Sequence, residues 1–81
     1  MIWVVYIILC NDGTLYTGIS NNLEKRLEQH TNGQGAKYTK GRGPFKLIYK
    51  EECSNRGFSS KREIEIKKLS REKKLSLAGV S

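Results

Sequence analysis

The feature that most constrains this chain is an apolar run near its N-terminus, followed by a short turn and a second run. Residues 3–10 read WVVYIILC, a β-branched and aromatic segment that is apolar on both of its alternating faces. Such a segment is typical of a central strand that is covered on both sides. The sequence NDG follows at 11–13 and TLYTGIS at 14–20. Two strands joined by a short loop that contains glycine predict a β-hairpin.

The length of that loop decides which side chains of the hairpin share a face. If residues 11–13 form a three-residue loop with Gly13 in the left-handed conformation, Tyr6 lies opposite Gly18. Tyr6 and Tyr16 then share one face, and Gly18 leaves space beside the Tyr6 ring. A two-residue loop would place the tyrosines on opposite faces, because a slip of one residue inverts a strand. The sequence permits both registers, and we favour the first.

The rest of the chain alternates helical and extended patterns. Residues 21–33 predict a helix that Asn21 or Asn22 caps, with Leu23 and Leu27 on its buried stripe and Gly33 after its end. Residues 45–53 predict a third strand, 54–70 a second helix, and the stretch after Ser70 a short last helix. The order β-β-α-β-α, with this optional last helix, predicts an α+β fold in which helices flank a three-stranded antiparallel sheet.

Length and charge limit the classes of function. With 81 residues, the chain is expected to form a single domain over 1–81. Its 15 Lys and Arg residues against 8 Asp and Glu give a net charge of +7. This balance favours a polyanionic partner, with nucleic acid ahead of an anionic membrane. Solubility alone explains such a balance equally well.

The cysteines and the N-terminal run indicate the compartment. Two cysteines are too few for a disulfide framework, so reduced thiols in the cytoplasm are the simpler interpretation. The apolar run lacks the basic segment and the cleavage site of a signal peptide. It is also far shorter than the roughly 20 residues that span a bilayer. We therefore expect a cytoplasmic protein with no membrane partner.

Five polar side chains stand out as candidates for chemistry: Tyr6, Tyr16, Arg26, His30 and Glu63. Each has an ordinary interpretation when it is taken singly, such as ring packing for the tyrosines. Glu63 follows Ser60 by three residues and could instead complete a helix-capping box. Together the five match phosphodiester hydrolysis, which needs a cation on the phosphate, a carboxylate for a divalent metal and a proton acceptor. His30 or a tyrosine could be that acceptor.

The same segments resemble the GIY-YIG nuclease family, in particular its small stand-alone bacterial branch of hypothetical proteins. VVYI at 4–7 and YTG at 16–18 resemble the paired signature of the family. NLEKRLEQH at 22–30 resembles its first helix, and KREIEIKK at 61–68 its metal-binding helix. The resemblance covers nearly the whole chain. It implies a three-stranded antiparallel sheet flanked by helices, and an endonuclease that cuts DNA with one divalent ion, Mg²⁺ or Mn²⁺.

The resemblance also implies a role for each of the five candidates. Tyr6 and Tyr16 match the two signature tyrosines, one of which assists deprotonation of the attacking water. Arg26 matches the arginine that steadies the phosphate, and His30 the general base or its hydrogen-bond partner. Glu63 matches the carboxylate that holds the metal. A structure-selective enzyme linked to DNA repair or recombination is the expected function.

A basic, glycine-rich loop is expected to contact the DNA backbone through Lys37, Lys40, Arg42 and Lys46. Tyr38 lies among these cations and could stack on an unpaired base. Two departures from the family pattern support an alternative. No asparagine follows Asn55, although many family members carry a functional one there, and we expect none of the second DNA-binding or partner-binding domains that active relatives usually bring. The first triplet reads VVY but keeps its tyrosine. The alternative is a nucleic-acid-binding module with weak or no catalysis. An unidentified protein partner could supply specificity in either case.

Overall fold

Three strands form one antiparallel sheet with the first strand of the chain in the centre, between the second and the third, and three helices pack against it. The structure is a computed structural model in which residues 2–33 and 41–79 are described. In chain order the elements are β1 (Trp3–Leu9), β2 (Leu15–Ser20), α1 (Leu23–Thr31), β3 (Lys46–Cys53), α2 (Arg56–Lys67) and α3 (Arg71–Leu77). The predicted α+β fold is confirmed, including the last helix. The assignment of residues 1–81 to a single domain stays a prediction.

The β1–β2 hairpin has the three-residue loop that places both tyrosines on one face. Gly13 has a φ of 86°, and the Cys10 N–H donates to the Thr14 carbonyl at 2.8 Å. Tyr6 pairs with Gly18, and the residue two positions along β1 pairs with Tyr16. The favoured register is therefore confirmed, because a glycine is present where the loop requires a positive φ.

The central strand β1 has one face for the core and one face for the candidate site. Val5 and Ile7 are fully buried and form a hydrophobic cluster with Ile66 of α2. Tyr6 and Ile8 lie on the opposite face and are also fully buried. This double burial explains why the first run of the sequence is apolar at every position rather than at alternate ones.

Helix α1 contacts the sheet through its last turn rather than through a stripe of leucines. Leu23 and Leu27, the predicted buried stripe, are only half-buried. His30, placed by the sequence at the edge of the apolar face, is only 1% exposed. The reason is a hydrogen bond between His30 and Tyr6 of β1, which draws the C-terminal turn of α1 against the sheet.

Asparagine caps begin both of the longer helices. Asn22, rather than its neighbour Asn21, caps α1. The Asn55 side chain caps α2 by accepting the N–H of Phe58 at 2.9 Å. Because α2 begins at Arg56, the alternative in which Glu63 closes a capping box after Ser60 is wrong. Glu63 lies in the middle of the helix, where its side chain is available for another role.

An ion pair fixes the rotation of α2 relative to the sheet. Arg62 donates through its Nε to an oxygen of Glu51 at 3.1 Å, and the Tyr49 hydroxyl donates to the same carboxylate at 2.6 Å. These groups are partly exposed, so the pair contributes at most about 1 kcal/mol. Its greater effect is positional, because it ties α2 to β3. Among residues 2–33 and 41–79, no helix has the length and apolarity to cross a membrane.

Replacing Gly18 with alanine should destabilise the protein. A Cβ at this position would lie 2.7 Å from the Tyr6 hydroxyl oxygen and 3.0 Å from a ring carbon of Tyr16. Since Tyr6 is fully buried, its ring has little room to move, and we expect a loss of about 1–3 kcal/mol. Urea unfolding measures this loss. Gly57→Ala, on the exposed start of α2, is the control and should change stability by less than about 1 kcal/mol; equal losses would contradict the tight contact.

Candidate active site

A buried hydrogen bond between Tyr6 and His30 forms the centre of the candidate site. The Tyr6 hydroxyl lies 2.9 Å from His30 Nε2, and both side chains are almost completely buried. Burial raises the pKa of Tyr6 to about 12, and nearby Arg26 opposes this shift. Burial, together with the positive charge of Arg26, lowers the pKa of His30 below its usual value. Both groups are therefore neutral near pH 7.

Arg26 of α1 links the two tyrosines. Its guanidinium lies within hydrogen-bonding reach of the hydroxyl groups of Tyr6 and Tyr16. It also donates to the side-chain oxygen of Gln29 at 3.2 Å. A guanidinium has only donors, so Arg26 donates to the tyrosine oxygens. Arg26, Tyr6 and His30 therefore form one chain of hydrogen bonds.

Aromatic rings pack around this chain. The ring centroids of Tyr16 and His30 are 5.3 Å apart in an edge-to-face contact, and those of Tyr6 and Tyr16 are 6.4 Å apart with tilted planes. Phe45 also packs edge to face against the imidazole, with the centroids 5.9 Å apart. Tyr16 is half-buried, whereas Tyr6 and His30 are fully enclosed. We call the group formed by Tyr6, Tyr16, Arg26 and His30 the tyrosine cluster; within it, Tyr16 and Arg26 are the members that reach solvent.

Glu63 of α2 lies next to the tyrosine cluster. Its negative charge contributes to the raised pKa of Tyr6, after burial and the charge of Tyr16. The Glu63 side chain is 20% exposed, and its Oε2 lies 3.5 Å from the Lys67 ammonium. Glu63 belongs to no larger ligand cluster, since residues 2–33 and 41–79 contain no group of three or more His, Cys, Asp or Glu side chains that could hold a metal ion. The donor set therefore fits an ion such as Mg²⁺, which takes one or two carboxylates and completes its shell with water. It does not fit a metal that needs several protein ligands.

The structure thus brings together all five residues that the sequence singled out for chemistry. Of the residues predicted to contact nucleic acid, the structure describes Arg42 and Lys46. The Arg42 side chain forms an ion pair with Asp12 at the hairpin loop, and Lys46 is exposed on β3. Lys37, Tyr38 and Lys40 lie outside the described residues, so their predicted contacts with nucleic acid stay predictions.

Three residues near the site were not predicted from the sequence. Gln29 and Lys67 follow Arg26 and Glu63 by three and four residues, so helical spacing would have indicated both contacts. Phe45 had no such signal, because only the tertiary fold brings the start of β3 to the end of α1. Its ring packs edge to face against the imidazole of His30 and contributes to its burial.

Comparison with known proteins agrees with this arrangement. A family model described as the GIY-YIG catalytic domain matches residues 2–76. A UPF0213 protein of Clostridium perfringens is 58% identical over 73 residues, which are 90% of this chain and 78% of that protein. A UPF0213 protein of Desulfotalea psychrophila is 48% identical over 80 residues, which are 98% of this chain and 73% of that protein. Neither name states an activity.

Solved structures share the fold. The solution NMR structure of a UPF0213 protein from Bacillus halodurans superposes with a TM-score of 0.62 at 42% identity, over 98% of this chain and 84% of that chain. A solution NMR structure of a protein from E. faecalis gives a TM-score of 0.65 at 34% identity, over 98% and 85% of the two chains. The β-β-α-β-α-α order is therefore shared with experimentally determined relatives.

The lowered pKa of His30 should make the stability of the protein depend on pH in a defined window. Below about pH 6.5 the unfolded chain binds a proton on His30 that the folded protein does not. The free energy of unfolding should therefore fall as the pH drops from about 6.5 towards the folded pKa, with a limiting slope of about 1.4 kcal/mol per pH unit. Urea unfolding over a pH series measures this slope.

His30→Gln provides the control, because His30 is the one histidine of the chain and glutamine keeps a donor and an acceptor. The variant should be less stable, with a flatter dependence on pH across the upper part of that window. If wild type and variant lose stability in parallel as the pH falls, the neutral buried imidazole is wrong.

Proposed function

Because this chain belongs to the GIY-YIG catalytic domain family, we propose that it is a Mg²⁺-dependent endonuclease that hydrolyses phosphodiester bonds in DNA. Membership of the family indicates nuclease activity, and DNA is the substrate that the domain implies. The proposal rests above all on one observation, the convergence of Arg26, Tyr16 and Glu63 beside a buried Tyr6–His30 pair. Selection of DNA structure, and a place in repair or recombination, are part of the proposal.

Arg26 is the group that would hold the scissile phosphate. Its planar fork of donors matches the geometry of phosphate oxygens. The side chain is half-buried, and contacts with the two tyrosines and with Gln29 restrict its motion. A cation fixed in advance stabilises the negative charge that develops on the phosphate without reorganising during the reaction.

Tyr16 is the member of the tyrosine cluster best placed to orient the attacking water. Tyr6 and His30 are enclosed and hydrogen-bond to each other, so neither reaches a water in solvent directly. In the proposed reaction the water oxygen bonds to phosphorus while the phosphorus–oxygen ester bond breaks. The water loses one proton through the Tyr16 oxygen to solvent, and the departing oxygen gains one. Tyr6 and His30 act as positioning residues for Arg26.

Glu63 is the residue that would hold the divalent ion. When bound, the ion supplies positive charge for the phosphate and for the departing oxygen. The Lys67 ammonium now lies 3.5 Å from Glu63 Oε2 and balances the carboxylate. A divalent ion would replace that interaction and leave Lys67 free to turn outward. Glu63 therefore combines a partly exposed carboxylate with a neighbouring cation that is easily displaced.

Cleavage assays with matched variants test the proposed function. Flap, branched and linear DNA are incubated with the protein, with and without Mg²⁺. Glu63→Gln removes the charge but keeps the shape of the side chain, and Glu65→Gln is its exposed neighbour on the same helix. We expect cleavage that needs Mg²⁺, is lost in Glu63→Gln and is kept in Glu65→Gln. Arg26→Ala should lower the rate by about 10²–10³, whereas Lys25→Ala should not.

Two results would count against the nuclease. Binding without cutting, on every substrate and with every divalent ion, would favour the nucleic-acid-binding module that the missing late asparagine suggests. Equal cutting by wild type and Glu63→Gln would remove Glu63 from the mechanism. A direct measurement separates metal binding from catalysis: the Mn²⁺ spectrum in electron paramagnetic resonance should change with wild type and with Glu65→Gln, but not with Glu63→Gln.

A further inference from the structure

A basic groove runs along the outer edge of β2, the edge that does not pair with β1. An open cleft of about 300 Å³ is lined by Leu15, Tyr16, Thr17, Lys67 and Lys74. A second cleft of about 200 Å³ is lined by Thr14, Leu15, Arg71 and Lys74. The two clefts share two residues and form one continuous depression. We call it the edge groove; residues 14–17 form one wall, and the end of α2 with α3 forms the other.

The charge of the edge groove has one sign. Lys67, Arg71 and Lys74 line it, and none of the described residues that line it is acidic. Arg71 donates one N–H to the Gly13 carbonyl at 2.5 Å, which ties α3 to the hairpin loop. A guanidinium has five N–H donors, so this contact leaves donors that can face the groove. None of these three cations belongs to the basic loop that the sequence analysis singled out.

The backbone of β2 adds donors to the same groove. In an antiparallel pair, successive residues turn their peptide groups alternately towards the partner and away from it. The Cys10 N–H donates to the Thr14 carbonyl, so Thr14 and Tyr16 face β1. The peptide groups of Leu15 and Thr17 therefore face the edge groove. Backbone N–H groups, lysines and arginines are the groups that proteins use to bind phosphates.

The edge groove is continuous with the candidate active site through Tyr16 and Lys67. Tyr16 belongs to the tyrosine cluster and also lines the groove. Lys67 lines the groove and lies beside Glu63. Along β2, Thr14 is about 7 Å from Tyr16, at about 3.4 Å per residue. A strand with one phosphate held at Arg26 would therefore place its neighbouring phosphates within reach of the groove.

We propose that the edge groove binds the sugar–phosphate backbone of the substrate strand immediately beside the scissile phosphate. This proposal rests on the proposed function, because it takes nucleic acid as the substrate. It assigns Lys67 and Lys74 to phosphates and gives α3 a role in substrate binding. Contacts of this kind are independent of base sequence, which suits an enzyme that selects the structure of its substrate.

Binding without metal tests the groove apart from catalysis. A fluorescein-labelled flap duplex is titrated with protein in EDTA at several KCl concentrations, and anisotropy gives Kd. The double variant Lys67→Gln/Lys74→Gln removes both charges while keeping most of each side chain. Each lost phosphate contact should reduce the slope of log Kd against log salt by about 0.9 and weaken binding about eightfold near 0.1 M salt. The double variant should lose about 2 from the slope.

Lys61→Gln/Lys73→Gln is the matched control. It removes the same charge from the same two helices, at exposed positions outside the groove. We expect its salt slope to remain within about 0.3 of wild type, a margin well below one phosphate contact. Unchanged circular dichroism and unfolding midpoints in all variants exclude misfolding as the cause of a difference.

The outcomes separate this proposal from the proposed function. If wild type binds DNA and the two double variants lose affinity and slope equally, the groove is not a specific site, while the nuclease proposal stands. If wild type does not bind DNA at any salt concentration, both proposals fail. If only the double variant Lys67→Gln/Lys74→Gln reduces the slope of log Kd against log salt, and Glu63→Gln keeps the wild-type slope in EDTA, the groove binds phosphate independently of the Glu63 carboxylate.

Discussion

The contact between Tyr6 and Gly18 is the constraint on which the rest of the structure depends. The phenol ring fits against β2 because the facing residue has no side chain; a single added Cβ would lie 2.7 Å from its oxygen. Enclosed in this way, the hydroxyl needs a partner, since an unsatisfied buried polar group costs about 1–3 kcal/mol. His30 supplies that partner and draws the end of α1 onto the sheet. The position of Arg26, one turn earlier in α1, follows from that contact.

One face of β1 contributes to the hydrophobic core, and the other face contributes to the candidate active site. One face packs Val5 and Ile7 against α2 and forms the hydrophobic cluster. The other face buries Tyr6 and His30, whose ionisation is suppressed by burial. The Arg62–Glu51 ion pair couples the two, because it fixes α2 on β3 while the next residue, Glu63, faces the tyrosine cluster. A small domain can therefore hold a carboxylate and a guanidinium in register without a second domain to brace them.

The edge groove would add phosphate contacts next to the candidate active site. A phosphate bound only at Arg26 would leave the direction of the strand undefined. Lys67 and Lys74 line one cleft with Tyr16, and phosphate contacts there would define a direction along the outer edge of β2. The outer edge of β2 has unpaired peptide groups, and these are available to the sugar–phosphate backbone of a nucleic acid. The positive charge along this edge also discourages pairing with a strand of another protein.

The sequence by itself predicted the helix order, favoured the hairpin register that the structure has, and singled out the five residues that the structure brings together. These depend on local chemistry: a positive φ that Gly13 accepts, asparagine caps, and spacing along a strand or a helix. It did not determine that His30 is buried, that Phe45 covers it, or that Lys67, Arg71 and Lys74 line one groove. Those facts depend on which turn of α1 meets the sheet and on how α3 folds back to the hairpin loop. Only the tertiary structure decides them, because they join residues far apart in the chain through contacts that local spacing does not specify.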